Sequence, residues 1–76
     1  MVRLQKIDPQ KGIPRFYRLD IQSTLFGEFS FTREWGWIGN KPSRRMTEFF
    51  GSYEDANRAL NCLQIKKVKK GYSIQR

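Results

Sequence analysis

Two segments in the first half of the chain alternate apolar and polar residues with a period of two. In residues 16–21, polar residues separate the apolar side chains of Tyr17, Leu19 and Ile21. In residues 29–37 the same parity is shared by Phe29, Phe31, Arg33, Trp35 and Trp37. A period of two places every second side chain on the same side of an extended strand. The alternation therefore predicts two half-buried strands, whose apolar side needs another layer to cover it.

One later segment has the helical period instead. Its apolar residues fall on one stripe at about 100° per residue: Tyr53, Ala56, Ala59, Leu60 and Leu63. Ser52 is a good N-cap residue, and acidic residues follow it in the first turn. Gly71 comes directly after Lys70 and predicts the end of the helix.

Weaker strand patterns surround these elements. Residues 2–8 predict a strand at a sheet edge, residues 44–50 a further strand and residues 72–74 a short final one, whereas the proline- and glycine-containing stretch 9–14 predicts a loop. The predicted strands come first along the chain and the one helix comes late, an order that is typical of an α+β fold. We expect an antiparallel sheet with one long α-helix, in the C-terminal half, packed on one face. A chain of 76 residues supplies one core, so we expect a single domain over residues 1–76.

The charge balance narrows the class of partner. The chain has 15 Lys and Arg residues against 7 Asp and Glu residues, a net charge of +8. Such a chain favours acidic partners, nucleic acid first and an anionic membrane surface second. No stretch approaches the roughly 20 apolar residues of a membrane span, and residues 1–6 are too polar for a signal peptide. We therefore expect a soluble, cytoplasmic protein. We also expect no membrane partner, because the apolar stripe of the predicted helix is already required to cover the sheet.

The residues that most enzymes use are scarce. The chain has no histidine and one cysteine, Cys62, so it has no imidazole base, no Cys/His pair and no internal disulfide. Its carboxylates do not have the spacing of a metal site, and Gly36 and Gly39 do not form a phosphate-binding loop. The sequence predicts a non-enzymatic protein with no catalytic residue, no metal and no cofactor.

The segment 34–39 is the most informative for function. Trp35 and Trp37 share a parity and are separated by Gly36, which permits close approach, so they are a candidate stacking surface for bases or sugars. Burial in the core explains either ring equally well. Four basic residues lie nearby and predict phosphate contacts, with a solvated edge as the alternative: Arg33, Lys41, Arg44 and Arg45.

A second basic cluster lies at the predicted helix end. Its members are Lys66, Lys67, Lys69 and Lys70. They can neutralise phosphates without reading sequence. They are equally explained by the helix macrodipole, which stabilises cations at a C-terminus by about 0.3–1 kcal/mol.

Several short stretches together resemble the WGR domain family. They are Lys6-Ile7-Asp8-Pro9, Arg15-Phe16-Tyr17-Arg18-Leu19, Leu25-Phe26-Gly27, Arg33-Glu34-Trp35-Gly36, Ile38-Gly39, Phe49-Phe50 with Ser52-Tyr53-Glu54-Asp55-Ala56, and Lys70-Gly71-Tyr72. The resemblance implies an antiparallel sheet with one long helix. It also implies a nucleic-acid role, because WGR domains of DNA-dependent poly(ADP-ribose) polymerases pack the motif tryptophan, here Trp35, at a DNA break. Bacterial members also occur as short standalone proteins, which a chain of this length resembles.

The chain departs from the family motif at one position, where Trp37 stands in place of the arginine after Trp35-Gly36. An aromatic ring there either replaces the guanidinium as a stacking surface or marks the loss of the DNA contact. We therefore carry two hypotheses. The first is a nucleic-acid-binding module that holds DNA, with ends or nicks as candidate forms, through the surface around both tryptophans. The alternative is a protein-interaction module that docks an acidic partner.

Overall fold

A computed structural model describes residues 1–7, 12, 14–39 and 43–75. They form one five-stranded sheet and one helix, with these bounds: β1 Val2–Ile7, β2 Pro14–Ser23, β3 Phe29–Trp37, β4 Arg44–Phe50, α1 Tyr53–Lys69 and β5 Ser73–Gln75. The strand order is β4-β3-β2-β1-β5, and every neighbouring pair is antiparallel. The predicted α+β fold is confirmed. In the described part of the chain, no helix is long and apolar enough to cross a membrane.

The sheet corrects two details of the prediction. Strand β1 is not an edge strand, because it pairs with β2 on one side and with β5 on the other. The predicted loop also ends earlier, since Pro14 is the first residue of β2 and lies opposite Ile7. Proline is tolerated there because the first residue of a strand need not donate to the ladder. Most of the predicted loop, residues 9–11 and 13, lies outside the described residues.

The register divides the sheet into two faces. Tyr17 lies opposite Leu4 on β1 and opposite Trp35 on β3, so these side chains share one face. The helix covers this face, which we call the helix face, and the core lies between the two layers. Its buried residues are Leu4, Tyr17, Leu19, Phe31, Ala56, Leu60 and Tyr72. The opposite side is the open face, on which no described element packs.

The helix begins and ends as its sequence predicts. The Ser52 hydroxyl accepts a hydrogen bond from the Asp55 N–H at 3.2 Å. At the other end the Tyr72 N–H donates to the Lys67 carbonyl at 3.1 Å, and Gly71 has a φ of 103°. This is a Schellman turn, which favours glycine because the left-handed conformation strains residues with a Cβ. The turn sends the chain back to the sheet and buries Tyr72 beside the last helical turn.

Candidate nucleic-acid interface

Trp35 is partly a core residue. Its indole stacks on the buried Tyr17 ring with 5.4 Å between centroids and 8° between planes. It is half-buried and packs against the core cluster. Tyr72 meets the same Tyr17 ring edge-on at 6.1 Å. Three aromatic rings therefore form one layer beneath the end of the helix.

Trp37 lies two residues further, at the end of β3. It is half-buried, and its cross-strand neighbour is Arg15. The Arg15 guanidinium carbon is 4.7 Å from the centre of the Trp37 ring, within cation–π range. The Ile38 N–H donates to the Pro14 carbonyl at 2.8 Å and closes this end of the hairpin. Trp37 is thus held at the sheet end with a cation against its ring.

The helix contributes a second cation to the same place. The Lys67 ammonium is 4.6 Å from the centre of the Tyr17 ring and 5.9 Å from that of Tyr72. The Lys6 ammonium, from β1, is also 5.9 Å from the Tyr72 ring. Burial lowers the pKa of Lys67, and Lys70, Arg15, Arg33 and Lys6 lower it further by repulsion. Every charge that shifts this pKa is a cation, and none of the ion pairs among the described residues includes Lys6, Arg15, Lys67 or Lys70.

These residues define the aromatic–basic cluster. Its rings are Tyr17, Trp35, Trp37 and Tyr72, and its cations are Lys6, Arg15, Lys67 and Lys70. Of these eight residues, only Trp35 and Trp37 were among the site residues predicted from the sequence. Arg15 could have been found from the sequence by aligning the two strands of the hairpin, which places it opposite Trp37. Lys67 could have been found from its place in the basic run that follows the apolar stripe of the helix.

Arg33 is engaged within the protein. Its guanidinium Nη2 is 3.1 Å from a Glu48 carboxylate oxygen and 2.7 Å from the Met46 sulfur, across the β3–β4 pair. Its Nε is buried and has no hydrogen-bond partner among the described residues. Burial raises the pKa of the Tyr17 hydroxyl, and the Arg33 guanidinium opposes this shift. Arg33 therefore bridges two strands beneath the cluster and has a carboxylate as its ion-pair partner.

The other predicted site residues lie on both faces of the sheet. Arg44 is opposite Trp35, on the helix face, whereas Arg45 is opposite Glu34, on the open face. The Arg45 guanidinium is 4.0 Å from the Glu34 carboxylate, to which the Ser43 hydroxyl also donates at 2.7 Å. Gly36 is on the open face too, and Lys41 lies outside the described residues. The structure thus groups Arg33, Trp35, Trp37 and Arg44 and separates Gly36 and Arg45 from them.

Comparison with known proteins identifies the family. The chain matches the WGR domain over residues 1–76. It belongs to the WGR domain family. WGR domains in general bind nucleic acid, and the match spans the segment that contains Trp35-Gly36-Trp37. Among the described residues, no three Cys, Asp or Glu side chains lie together in a way that could hold a metal ion.

A curated relative matches most of this chain over part of its own, longer sequence. The uncharacterized protein y4dW of Sinorhizobium fredii (strain NBRC 101917 / NGR234) is 38% identical over 69 residues. The match covers 91% of this chain and 33% of the relative, so the chain spans about a third of the relative's length. No solved structure matches the chain.

The uncompensated charge predicts a pH dependence of stability. Because the pKa of Lys67 is lower in the folded protein than in the unfolded chain, the unfolded chain holds more protons just below the ordinary value of 10.5. The free energy of unfolding should therefore rise with pH toward about 10. Tyr17 opposes this rise from about pH 10, and above about pH 10.5 the free energy of unfolding should fall, because the pKa of Tyr17 is raised by folding from its ordinary value of 10.0 and the unfolded chain loses this proton first.

Urea denaturation from about pH 8 to about pH 10 checks this prediction. The rise should be smaller in Lys67→Gln and retained in Lys66→Gln, which removes an exposed lysine from the same helical turn. An equal rise in the wild type and in Lys67→Gln would show that the lowered pKa of Lys67 is not its cause.

Proposed function

We propose that this WGR domain binds DNA without catalysing a reaction, and that the aromatic–basic cluster is its contact surface. One observation carries the proposal. Cations from β1, β2 and the helix end converge on a layer of aromatic rings, and all the charges that shift the pKa of Lys67 are positive. Like charges without a counter-charge cost free energy in the isolated protein. A polyanion removes that cost when it binds.

The rings give the cluster a second kind of contact. Aromatic side chains stack on bases, and arginine binds phosphate bidentately while lying flat on a ring. Arg15 and Trp37 combine both properties, because the guanidinium lies 4.7 Å from the ring centre. This pair also accounts for the departure from the family motif. The guanidinium that position 37 lacks is supplied by Arg15 from the neighbouring strand, so the cation stays near the motif although the residue has changed.

The preferred form of DNA in this proposal is an end or a nick. Trp37 lies at the end of a strand and the cluster occupies one end of the sheet, where a terminal or interrupted sugar-phosphate chain can reach the half-buried rings of Trp35 and Trp37. A continuous duplex exposes its phosphates but keeps its bases stacked. We therefore expect phosphate contacts with every DNA and ring contacts with interrupted DNA only.

Binding to labelled blunt-ended, nicked and closed-circular DNA at several salt concentrations tests the proposal. If four cations each neutralise one phosphate, the logarithm of the affinity should fall with the logarithm of salt concentration with a slope of about −3 to −4. Blunt-ended and nicked DNA should bind more tightly than closed-circular DNA of the same sequence. A slope near zero would contradict the proposal and favour an acidic protein as the partner of this surface. Equal affinity for the three forms would contradict the preference for ends and nicks.

A further inference from the structure

The open face of the sheet carries a groove whose described lining shares only Trp37 with the proposed contact surface. Its volume is about 490 Å³, and it runs along β1 and β2 to the end of β3. Its lining includes Arg3, Phe16, Arg18, Trp37 and Ser43. Ligand pockets generally have volumes of about 300–1,000 Å³, apolar walls and a few polar groups, so this groove has the size for one small organic group.

The charges around the groove favour an anionic occupant. Its described lining contains two arginines and no carboxylate. Arg3 is exposed and has no ion pair within the described part of the chain. Arg18 shares the Glu34 carboxylate, at 3.7 Å, with Arg45. One cation is therefore available for an anion at the rim of the groove.

The floor of the groove favours a planar occupant. The Arg18 guanidinium carbon is 5.1 Å from the centre of the Phe16 ring. Gly36 is the cross-strand neighbour of Phe16, and a Cβ there would lie 3.4 Å from the Phe16 ring and from Ser43. The missing side chain at Gly36 thus leaves the Phe16 ring uncovered by its neighbour. Aromatic rings and arginine planes are the surfaces on which unstacked bases are held.

The groove is continuous with the aromatic–basic cluster. Trp37 lines the groove and also carries the Arg15 guanidinium of the cluster. A nucleic-acid strand that contacts the cluster therefore reaches the groove by passing the end of β3. This continuity, together with the two arginines and the Phe16 ring, favours a part of the bound nucleic acid as the occupant of the groove.

We infer that the groove holds one unpaired nucleotide of the DNA strand bound at the cluster. Its base lies against Phe16 and Arg18, and its phosphate faces Arg3. The inference rests on the proposed function and adds a preference within it: DNA whose end carries an unpaired nucleotide binds better than fully paired DNA.

Three duplexes of one sequence test the inference. The first is blunt, the second carries a one-nucleotide overhang, and the third carries an abasic overhang with the same phosphate but no base. Overhangs are tested on the 5′ and the 3′ strand. We expect the wild type to bind the base-bearing overhang of one polarity about tenfold more tightly than its abasic counterpart, since a stacked base contributes a factor of this order. Because the two overhangs carry equal charge, general electrostatic attraction cannot produce the difference.

Two groove variants and one control variant assign the effect to the groove. Phe16→Leu should abolish the tenfold ratio, and Arg3→Gln should weaken both overhangs relative to the blunt duplex. Both variants should bind the blunt duplex within about twofold of the wild type, because neither residue belongs to the cluster. Phe49→Leu is the control, since Phe49 is exposed on the same face at the far end of the sheet.

The results separate the two proposals. Salt-dependent binding of the blunt duplex with equal affinity for base-bearing and abasic overhangs overturns the groove and leaves the proposed function standing. A tenfold ratio that survives in Phe16→Leu also overturns the groove. If none of the duplexes shows salt-dependent binding, the proposed function is overturned, and the groove with it.

Discussion

The double variant Arg15→Gln/Lys67→Gln is expected to bind blunt DNA about sixtyfold more weakly than the wild type at 0.1 M salt. Each phosphate contact contributes about −0.9 to the slope of the logarithm of affinity against the logarithm of salt concentration, so the loss of two contacts makes the slope less steep by about 1.8. Relative to about 1 M salt, where the phosphate contacts contribute almost nothing, this change of slope corresponds at 0.1 M salt to about a sixtyfold loss of affinity. Titration of labelled DNA at four or more salt concentrations measures both quantities.

The matched control is Lys66→Gln/Lys69→Gln. It removes the same number of positive charges, two, from a chain of net charge +8, and both substituted lysines are exposed in the last helical turn. It keeps Arg15 on the Trp37 ring and Lys67 on the Tyr17 ring. We expect a much smaller loss of affinity and a slope within about 0.5 of the wild type. Equal losses in both double variants would mean that net charge, and not the cluster, attracts the DNA.

Unfolding does not explain the expected loss of binding. Lys67 has a lowered pKa because its charge is partly buried among other cations. Removing that charge relieves repulsion in the folded protein, although it also removes a cation–π contact worth about 0.5–1 kcal/mol. We therefore expect Lys67→Gln to be about as stable as the wild type. A substitution that weakens binding without lowering stability indicates that the original residue contributes to contact with the partner.

The fold was predictable because its two strongest patterns are local. Alternation over 16–21 and 29–37 reports which side chains share a face, and the stripe that includes Ala56 and Leu60 reports the side of the helix that covers them. The position of β1 was predicted wrongly for a physical reason. Its polar residues Arg3 and Gln5 point to the open face of the sheet although β1 is an interior strand. This pattern of polar residues resembles that of an edge strand.

The candidate site was less predictable because it joins distant parts of the chain. Arg15 and Trp37 meet through the hairpin register, and Lys67 reaches Tyr17 through the phase of the helix and the turn at Gly71. Nearness in sequence was misleading for Arg44 and Arg45. Adjacent residues of a strand point to opposite faces, so these two arginines do not share a face of the sheet.

The two tryptophans are expected to differ most in their effects on stability. Trp35→Ala should lower the free energy of unfolding by about 3 kcal/mol, because it removes a half-buried ring stacked on Tyr17 in the core. A chain of this length has about 4–11 kcal/mol in total, so the variant should lose between about a quarter and three quarters of it. Trp37→Ala should cost about 1 kcal/mol, since the ring lies at a strand end and its cation–π contact with Arg15 is worth about that much. Urea denaturation of both variants measures the difference.

This difference determines how the tryptophans can be tested for DNA contact. A loss of binding in Trp35→Ala does not separate a lost contact from a damaged core, whereas Trp35→Phe keeps an aromatic ring on Tyr17 and restores most of the stability. If Trp35→Phe folds well and loses the preference for DNA ends, the indole itself contacts the DNA. If it keeps that preference while Trp37→Ala loses it, the contact has moved two residues along the strand, to the ring that stands in place of the family arginine. Similar stability losses in the two alanine variants would refute the division of Trp35 into the core and Trp37 into the contact surface.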